Sequence, residues 1–162
     1  MTCLGCGTDR EHHAMSCNKP IGRIVIEGEP YGKRAPQLGR RGKHVQIHPH
    51  KADKAYAKEI VKALEAGAWT AITDNRAPIW VEITARFQRG KSHFGVDGVT
   101  LNANGREWIE PTKKPDTDNI SKIILDTFTH NGVWPDDSQV TRNVQEKVWG
   151  DHPAVLVEWG LR

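Results

Sequence analysis

Apolar and polar positions alternate in four short segments of the chain, and in two longer segments apolar positions recur at helical spacing. The alternation predicts strands, and the helical period predicts helices. The predicted strands are Arg23–Glu27, Ile79–Phe87, Val140–Trp149 and Ala154–Trp159, and the predicted helices are Ala52–Ala66 and Asp118–Thr129. This order, roughly β-α-β-(β)-α-β-β, is typical of an α+β domain with a mixed β-sheet and two helices.

Three segments lack either period. Met1–Pro20 has few large apolar residues and is interpreted as a Cys/His-containing tail, which leaves residues 21–162 as one domain. Tyr31–Pro49 is interrupted by Gly and Pro and is predicted to be a long basic loop, a kind of loop that is usually functional or disordered. Lys91–Asn104 is compatible with either a hairpin partner or a mobile loop.

Composition places the chain among globular proteins. Its 162 residues suffice for one core, and 37% hydrophobic with 27% charged residues is an ordinary balance. The longest apolar runs, such as Ala154–Val157, are too short to cross a bilayer, and the segment after Met1 lacks the apolar core of a signal peptide. The expectation is a cytoplasmic protein without a membrane partner.

All three cysteines lie in the tail. An odd number of cysteines without other signs of secretion argues against a disulfide framework. A Cys-x-x-Cys pair followed by His and Cys has the ligand chemistry of a small zinc site. The possible ligands are Cys3, Cys6, His13 and Cys17. The alternative, a flexible tail with reduced thiols, stays open.

The charges are divided between two regions, although the net charge is only +3. Tyr31–Lys51 contains no Asp or Glu, whereas the segment from Asp116 to Asp137 is acidic. The basic side chains within Tyr31–Lys51 are Lys33, Arg34, Arg40, Arg41, Lys43 and Lys51. A polyanion held by the first region and cut at the second would explain the division. The alternative for the basic region is a solvated loop.

The acidic region places carboxylates at spacings that can bring them together. Asp116 and Asp118 are two apart in an extended stretch after Pro115, so they can point to the same side. Asp126 is two helical turns beyond Asp118, and a Gly/Pro turn can return Asp136 and Asp137 towards the helix start. Such carboxylates would repel one another without a cation, and oxygen ligands favour Mg²⁺ or Mn²⁺.

Each of these residues also has a simpler interpretation. Asp118 could cap the predicted helix, and Lys122 could pair with Asp118 or Asp126 at i,i+4 spacing. An EF-hand is excluded because Ile120 and Ser121 occupy positions that need an oxygen ligand and a glycine.

The acidic region resembles the signature of a known family. The motif Lys114-Pro-Asp-x-Asp-Asn-x-x-Lys122-x-x-x-Asp126, followed by Gly132-Val-x-x-Asp136-Asp137-x-Gln139-Val140, is similar to that of the RusA family of Holliday-junction resolvases. These are mostly bacterial, prophage and phage proteins. The fixed spacings join two segments, which makes the match specific over Lys114–Val140, and Arg23–Ala66 is similar more loosely.

The resemblance implies a function and a set of site residues. Family members are homodimers that bind four-way junctions and make paired nicks with Mg²⁺ during DNA recombination and repair. Asp116, Asp118 and Asp137 match the essential metal-binding aspartates, and Lys122 matches the catalytic lysine. Asn119, Asp126 and Asp136 match adjacent signature positions, with Asp136 counted among the possible metal ligands. Lys147 matches a family lysine that we expect to contact phosphate.

Two other functions remain open on sequence grounds. The same site could cut flaps or replication forks instead of four-way junctions. Alternatively, the chain could be a non-catalytic DNA-binding module that uses the Cys/His tail as a zinc knuckle. The module predicts DNA binding without metal-dependent cutting, and no effect of replacing Asp116.

Overall fold

The computed structural model describes residues 19–41, 44–48, 50–107 and 110–162, with backbone alone at 37–41 and 44–48. The possible zinc ligands Cys3, Cys6, His13 and Cys17 lie outside the described residues, as does Lys43. The side chains of Arg40 and Arg41 are also not among those that the structure describes. The division into a tail and a domain therefore stays a prediction.

The described chain contains a five-stranded mixed sheet and a separate two-stranded hairpin. The strands are β1 (Gly22–Glu27), β2 (Gln37–Arg41), β3 (His44–His48), β4 (Ala68–Trp69), β5 (Ile79–Gln88), β6 (Val140–Gly150) and β7 (Ala154–Leu161). The five-stranded sheet has the order β4-β1-β7-β5-β6, and only the β5–β6 pair is parallel. The predicted mixed sheet is confirmed.

Within the described residues, three α-helices accompany the sheet. They are α1 (Lys51–Ala66), α2 (Ala103–Glu107) and α3 (Thr117–His130). The two long helices, α1 and α3, are those predicted from the helical period, and the α+β class is confirmed. In the part of the chain that the structure describes, no helix is long and apolar enough to cross a membrane.

The prediction of an irregular loop over Tyr31–Pro49 was wrong in its second half. There β2 and β3 form an antiparallel hairpin whose register runs from Gln37 opposite His48 to Arg41 opposite His44. β2 contains a glycine and two arginines and does not alternate. β3 does alternate, with Val45 and Ile47 between polar residues, but over only five positions, which is a weak signal within a basic segment.

Two further differences concern connections. The ambiguous segment Lys91–Asn104 holds a 3₁₀ turn at Lys91–His93 and a single bridge between Phe94 and Leu101, and it leads into α2. The closing strands β6 and β7 do not pair with each other, because β5 lies between them and pairs with both. β6 therefore forms one edge of the five-stranded sheet.

One face of β5 forms the centre of the core. Val81, Ile83, Ala85 and Phe87 alternate along this strand, and each is 2% exposed or less. The apolar sides of α1 and α3 join the same cluster. They contribute Tyr56, Ile60 and Leu64 from α1, and Ile120, Ile123, Ile124 and Phe128 from α3. α3 is thus fixed by its apolar side, which leaves its polar side for chemistry.

Candidate active site

α3 begins at Thr117, one residue before the predicted start. Asp116 is therefore the N-cap residue and Asp118 lies within the first turn, so the alternative interpretation of Asp118 as the capping residue does not hold. The Asp116 backbone carbonyl accepts the first helical hydrogen bond from Ile120 N at 3.1 Å, but its carboxylate makes no capping bond. Both carboxylates are exposed, so each is available to a ligand.

The middle of α3 does not follow the predicted arrangement of stacked charges. Lys122 is exposed and makes no ion pair within the described part of the chain, so the i,i+4 pairs with Asp118 and Asp126 are not formed. Asp126 is partly buried and forms an ion pair with Lys33. The Asp126 carboxylate is thus engaged away from Asp116 and Asp118.

Asp136 and Asp137 follow the end of α3 and form the start of a 3₁₀ turn, Asp137–Gln139. The Asp136 carboxylate accepts a hydrogen bond from Ser138 N at 2.8 Å, while Gln139 Oε1 accepts one from Asp136 N at 3.3 Å. These bonds form a reciprocal capping box. The bonds from Ser138 lower the pKa of Asp136 below its ordinary value. Asp137 is exposed.

The five acidic residues therefore do not form one cluster. Asp116 and Asp118 stand at the beginning of α3, a helix of 14 residues that is about 20 Å long, and Asp136 and Asp137 follow its end. Among the described residues, no group of three or more His, Cys, Asp or Glu is close enough to hold a metal ion. Oxygen-only donors of this kind suit Mg²⁺ or Mn²⁺.

A cavity of about 450 Å³ opens beside Asp116. Its other wall is the segment Pro30–Arg34, which follows β1 and begins the basic region. Lys33, Arg34 and Lys114 all line this cavity, together with Asp116 and Asn119. The structure thus brings two of the predicted DNA-binding residues next to one of the predicted catalytic carboxylates. Of these three cations, Arg34 and Lys114 are exposed, whereas Lys33 is paired with Asp126. Positive side chains around a hollow favour the binding of phosphate.

A second cavity, of about 480 Å³, lies on the other side of Asp116. It is lined by Glu110, Pro111 and Thr112 on one side and by Gln145, Glu146 and Lys147 of β6 on the other. Asp116 therefore lines both cavities. An extended chain with charged groups on both sides of a reacting bond could occupy such a surface.

Comparison with known proteins identifies the family of this chain. The family profile described as Endodeoxyribonuclease RusA matches residues 27–159, a range that includes the residues lining both cavities and also Asp118, Asp136 and Asp137. The chain belongs to the RusA family. It is also similar to a protein of Bacillus subtilis (strain 168) named "Uncharacterized protein YqaN", with 27% identity over 135 residues, which are 83% of this chain and 92% of that protein.

Lys147 has a structural role in this RusA-family chain that the sequence did not reveal. Its ammonium donates hydrogen bonds to the carbonyl oxygens of Lys113 at 2.5 Å and Pro115 at 3.3 Å. It also lies 5.5 Å from the centre of the Phe87 ring. Lys147 thereby ties β6 to the segment that leads into Asp116. The expected phosphate contact of Lys147 stays a prediction.

We expect Lys147→Met to lower the free energy of unfolding by about 1 kcal/mol, the net value of a typical intramolecular hydrogen bond. The methionine keeps the apolar stem but loses both bonds to the carbonyls. Urea denaturation measures this, with Lys91→Met, an exposed lysine, as the control. If Lys147 contacts phosphate, Lys147→Met should instead reduce the salt dependence of DNA binding. The slope of log affinity against log salt concentration would then be lower in magnitude by about 1. Unchanged stability with a reduced slope would contradict the structural role.

Two further residues of the site were missed by sequence reasoning, Tyr31 and Asp53. The Tyr31 hydroxyl donates to Asp53 Oδ1 at 2.7 Å, and Arg34 N donates to the same oxygen at 3.3 Å. Desolvation, followed by the hydrogen bond to Asp53, raises the pKa of Tyr31 to about 12. Asp53 is only 8% exposed and lies three residues before the buried Tyr56. An acid on the apolar side of α1 was the available signal.

Proposed function

We propose that this chain is a Mg²⁺-dependent, structure-specific endodeoxyribonuclease that resolves Holliday junctions by paired nicks in DNA recombination and repair. The observation that supports this most is the position of Asp116. Its carboxylate makes no capping hydrogen bond to α3 and lies in the wall of a cavity. The other charged residues of this cavity are Lys33, Arg34 and Lys114. Phosphodiester hydrolysis needs this combination of a carboxylate at the reacting group and cations that hold the phosphates.

The proposed catalytic residues are Asp116, Asp118, Asp137 and Lys122, with Asp136 as a further possible metal ligand. The chemistry that a bound Mg²⁺ supplies is activation of water and neutralisation of the leaving oxygen; Mn²⁺ could replace it. Asp116 and Asp118 supply carboxylate oxygens at the start of α3. Lys122, unpaired among the described residues and one turn further along, can stabilise negative charge that develops on the phosphate.

We further propose that the active form is a homodimer in the cytoplasm of a bacterial or phage-infected cell. Paired nicks on a four-way junction require two active sites with related orientations, and a symmetric dimer supplies them. The cations that would hold the arms are Lys33, Arg34, Arg40, Arg41, Lys43 and Lys147. A zinc ion bound by Cys3, Cys6, His13 and Cys17 remains a proposal for the tail.

Cleavage of end-labelled synthetic DNA tests the function. A four-way junction, a linear duplex, a flap and a fork would be incubated with the wild-type protein in Mg²⁺ or in EDTA. We expect symmetrically placed nicks on the junction, no cutting of the duplex, and no cutting of any substrate in EDTA. Cutting of flaps or forks but not junctions would keep the active site and change the substrate. Junction binding without cutting in Mg²⁺ or Mn²⁺ would favour the non-catalytic module.

A further inference from the structure

The segment Pro30–Arg34, here named the strap, is held against the beginning of α3. Lys33 N donates a hydrogen bond to the carbonyl oxygen of Asn119 at 2.8 Å. Gly32 packs so closely that an added Cβ would lie 2.6 Å from Pro115 Cβ. The strap therefore touches Pro115, which precedes Asp116, and Asn119, which follows Asp118. It also forms one wall of the cavity beside Asp116.

Two acidic side chains, one from each long helix, anchor the strap. Asp126 of α3 forms the ion pair with the Lys33 ammonium, and the two side chains are 29% and 34% exposed. Asp53 of α1 accepts hydrogen bonds from the Tyr31 hydroxyl and from Arg34 N. Each anchor thus comes from a different helix, and both helices are fixed by the core.

The anchors determine which cations are available to DNA. The positive charge of Lys33 is compensated by Asp126, so Lys33 is less able to bind phosphate than its place in the basic region suggests. Arg34 is exposed, and its guanidinium lies 5.6 Å from the centre of the Tyr31 ring. Stacking of that kind restricts the arginine side chain. Arg34 also lines the cavity beside Asp116.

We propose that Asp126 and Asp53 are positioning residues that hold the strap so that Arg34 contacts a DNA phosphate beside Asp116. Asp126 acts through Lys33, and Asp53 acts through Tyr31 and the Arg34 backbone. This inference rests on the proposed nuclease function, because it assumes that DNA occupies the cavity. It assigns to Asp126 a role other than metal binding.

The sign of the effect on DNA affinity separates positioning from simple electrostatics. Replacing Asp126 with asparagine removes a negative charge and frees Lys33, which by charge alone strengthens binding to a polyanion. Loss of the strap's anchor acts in the opposite direction. We expect Asp126→Asn and Asp53→Ala each to weaken binding to a four-way junction on the order of 10-fold, within the range of coupling between contacting residues.

The measurement is fluorescence anisotropy with a labelled junction in EDTA, so that neither metal nor cleavage contributes. Glu65→Gln is the matched control. Glu65 is an exposed acid on α1 that lines a cavity between α1 and α3 together with Asp126, but it makes no hydrogen bond or ion pair with the strap. We expect Glu65→Gln to bind as tightly as wild type or slightly more tightly. Tighter binding by Asp126→Asn would overturn the proposal.

Two further measurements distinguish an anchor from a metal ligand. Hydrogen exchange at the Lys33 amide should become faster on the order of 10-fold in Asp126→Asn, because the strap opens locally. The Mg²⁺ concentration for half-maximal cleavage should not change, and KM should rise while kcat stays near wild type. A higher Mg²⁺ requirement with unchanged exchange would show that Asp126 binds metal instead.

A conservative variant protects the test against general misfolding. Asp126→Glu keeps a carboxylate at the same position of α3 that can pair with the Lys33 ammonium, so we expect it to retain most of the junction affinity that Asp126→Asn loses. Equal loss of affinity in Asp126→Glu and Asp126→Asn, with melting temperatures like that of wild type, would contradict the anchor. If the wild-type protein does not bind junctions at all, the proposed function fails, whereas normal binding by Asp126→Asn removes only the role of the strap.

Discussion

Replacing Asp118 with asparagine will reduce the rate of junction cleavage at least about 100-fold, the usual cost of removing one group that stabilises charge in a transition state. The amide has nearly the size of the carboxylate but carries no charge. Asp118 is exposed in the first turn of α3, so the fold will tolerate the change. We expect Asp116→Asn to have the same effect, because its carboxylate is also free of capping bonds.

Cleavage rates in Mg²⁺ and junction affinity in EDTA would be measured for both variants. Affinity should stay near wild type, since the carboxylates act on the reacting phosphate while the basic side chains hold the arms. Asp151→Asn is the control, because Asp151 is an exposed acid in the loop between β6 and β7. A rate within about two-fold of wild type for Asp118→Asn, far below the usual cost of a catalytic group, would remove Asp118 from the site.

The fold was predictable where one element carries a long and regular pattern. In α3, Ile120, Ile123, Ile124 and Phe128 recur at helical spacing, and all four are buried as that spacing requires. In β5, strict alternation gave both the strand and its buried face. Such patterns are local, and burial on one side of an element is their direct physical cause.

The contacts that position the site join residues far apart in the chain, and no local pattern reports them. Lys33 meets Asp126, 93 positions away, and Lys147 reaches back 34 positions to Lys113. The sequence suggested that Asp126 stacks with Asp118 because both lie on one side of the predicted helix. The strap, which competes for that carboxylate, becomes visible only once Gly32 and Asn119 are packed together.

Sequence spacing also could not show whether the aspartates come together in the fold. A Gly/Pro turn can reverse the chain, but it does not fix how far the chain returns. Here Val133 N bonds to the carbonyl of Phe128, and Trp134 Nε1 bonds to Thr129 Oγ1, so the turn is tied to the last part of α3. Asp136 and Asp137 therefore follow the helix end, whereas Asp116 is the N-cap residue at its start. Their proposed part in metal binding stays a prediction.

Phe128→Ala will lower the free energy of unfolding by about 3–5 kcal/mol, the usual cost of emptying a buried aromatic site. Phe128 is fully buried, and its ring centre lies 4.9 Å from that of Trp159 and 5.1 Å from that of Trp134. Urea denaturation measures the change, and Val99→Ala, at an exposed valine, should change stability by no more than about 0.5 kcal/mol. A cost below about 1 kcal/mol for Phe128→Ala, the level of an ordinary point mutation, would mean that α3 is not packed through this side.

Because Asp118 and Lys122 are exposed on α3 and Phe128 is not, the variant should still cut junctions at temperatures where it remains folded. Loss of cutting in the folded variant would mean that the core sets the geometry of the carboxylates more tightly than their exposure suggests.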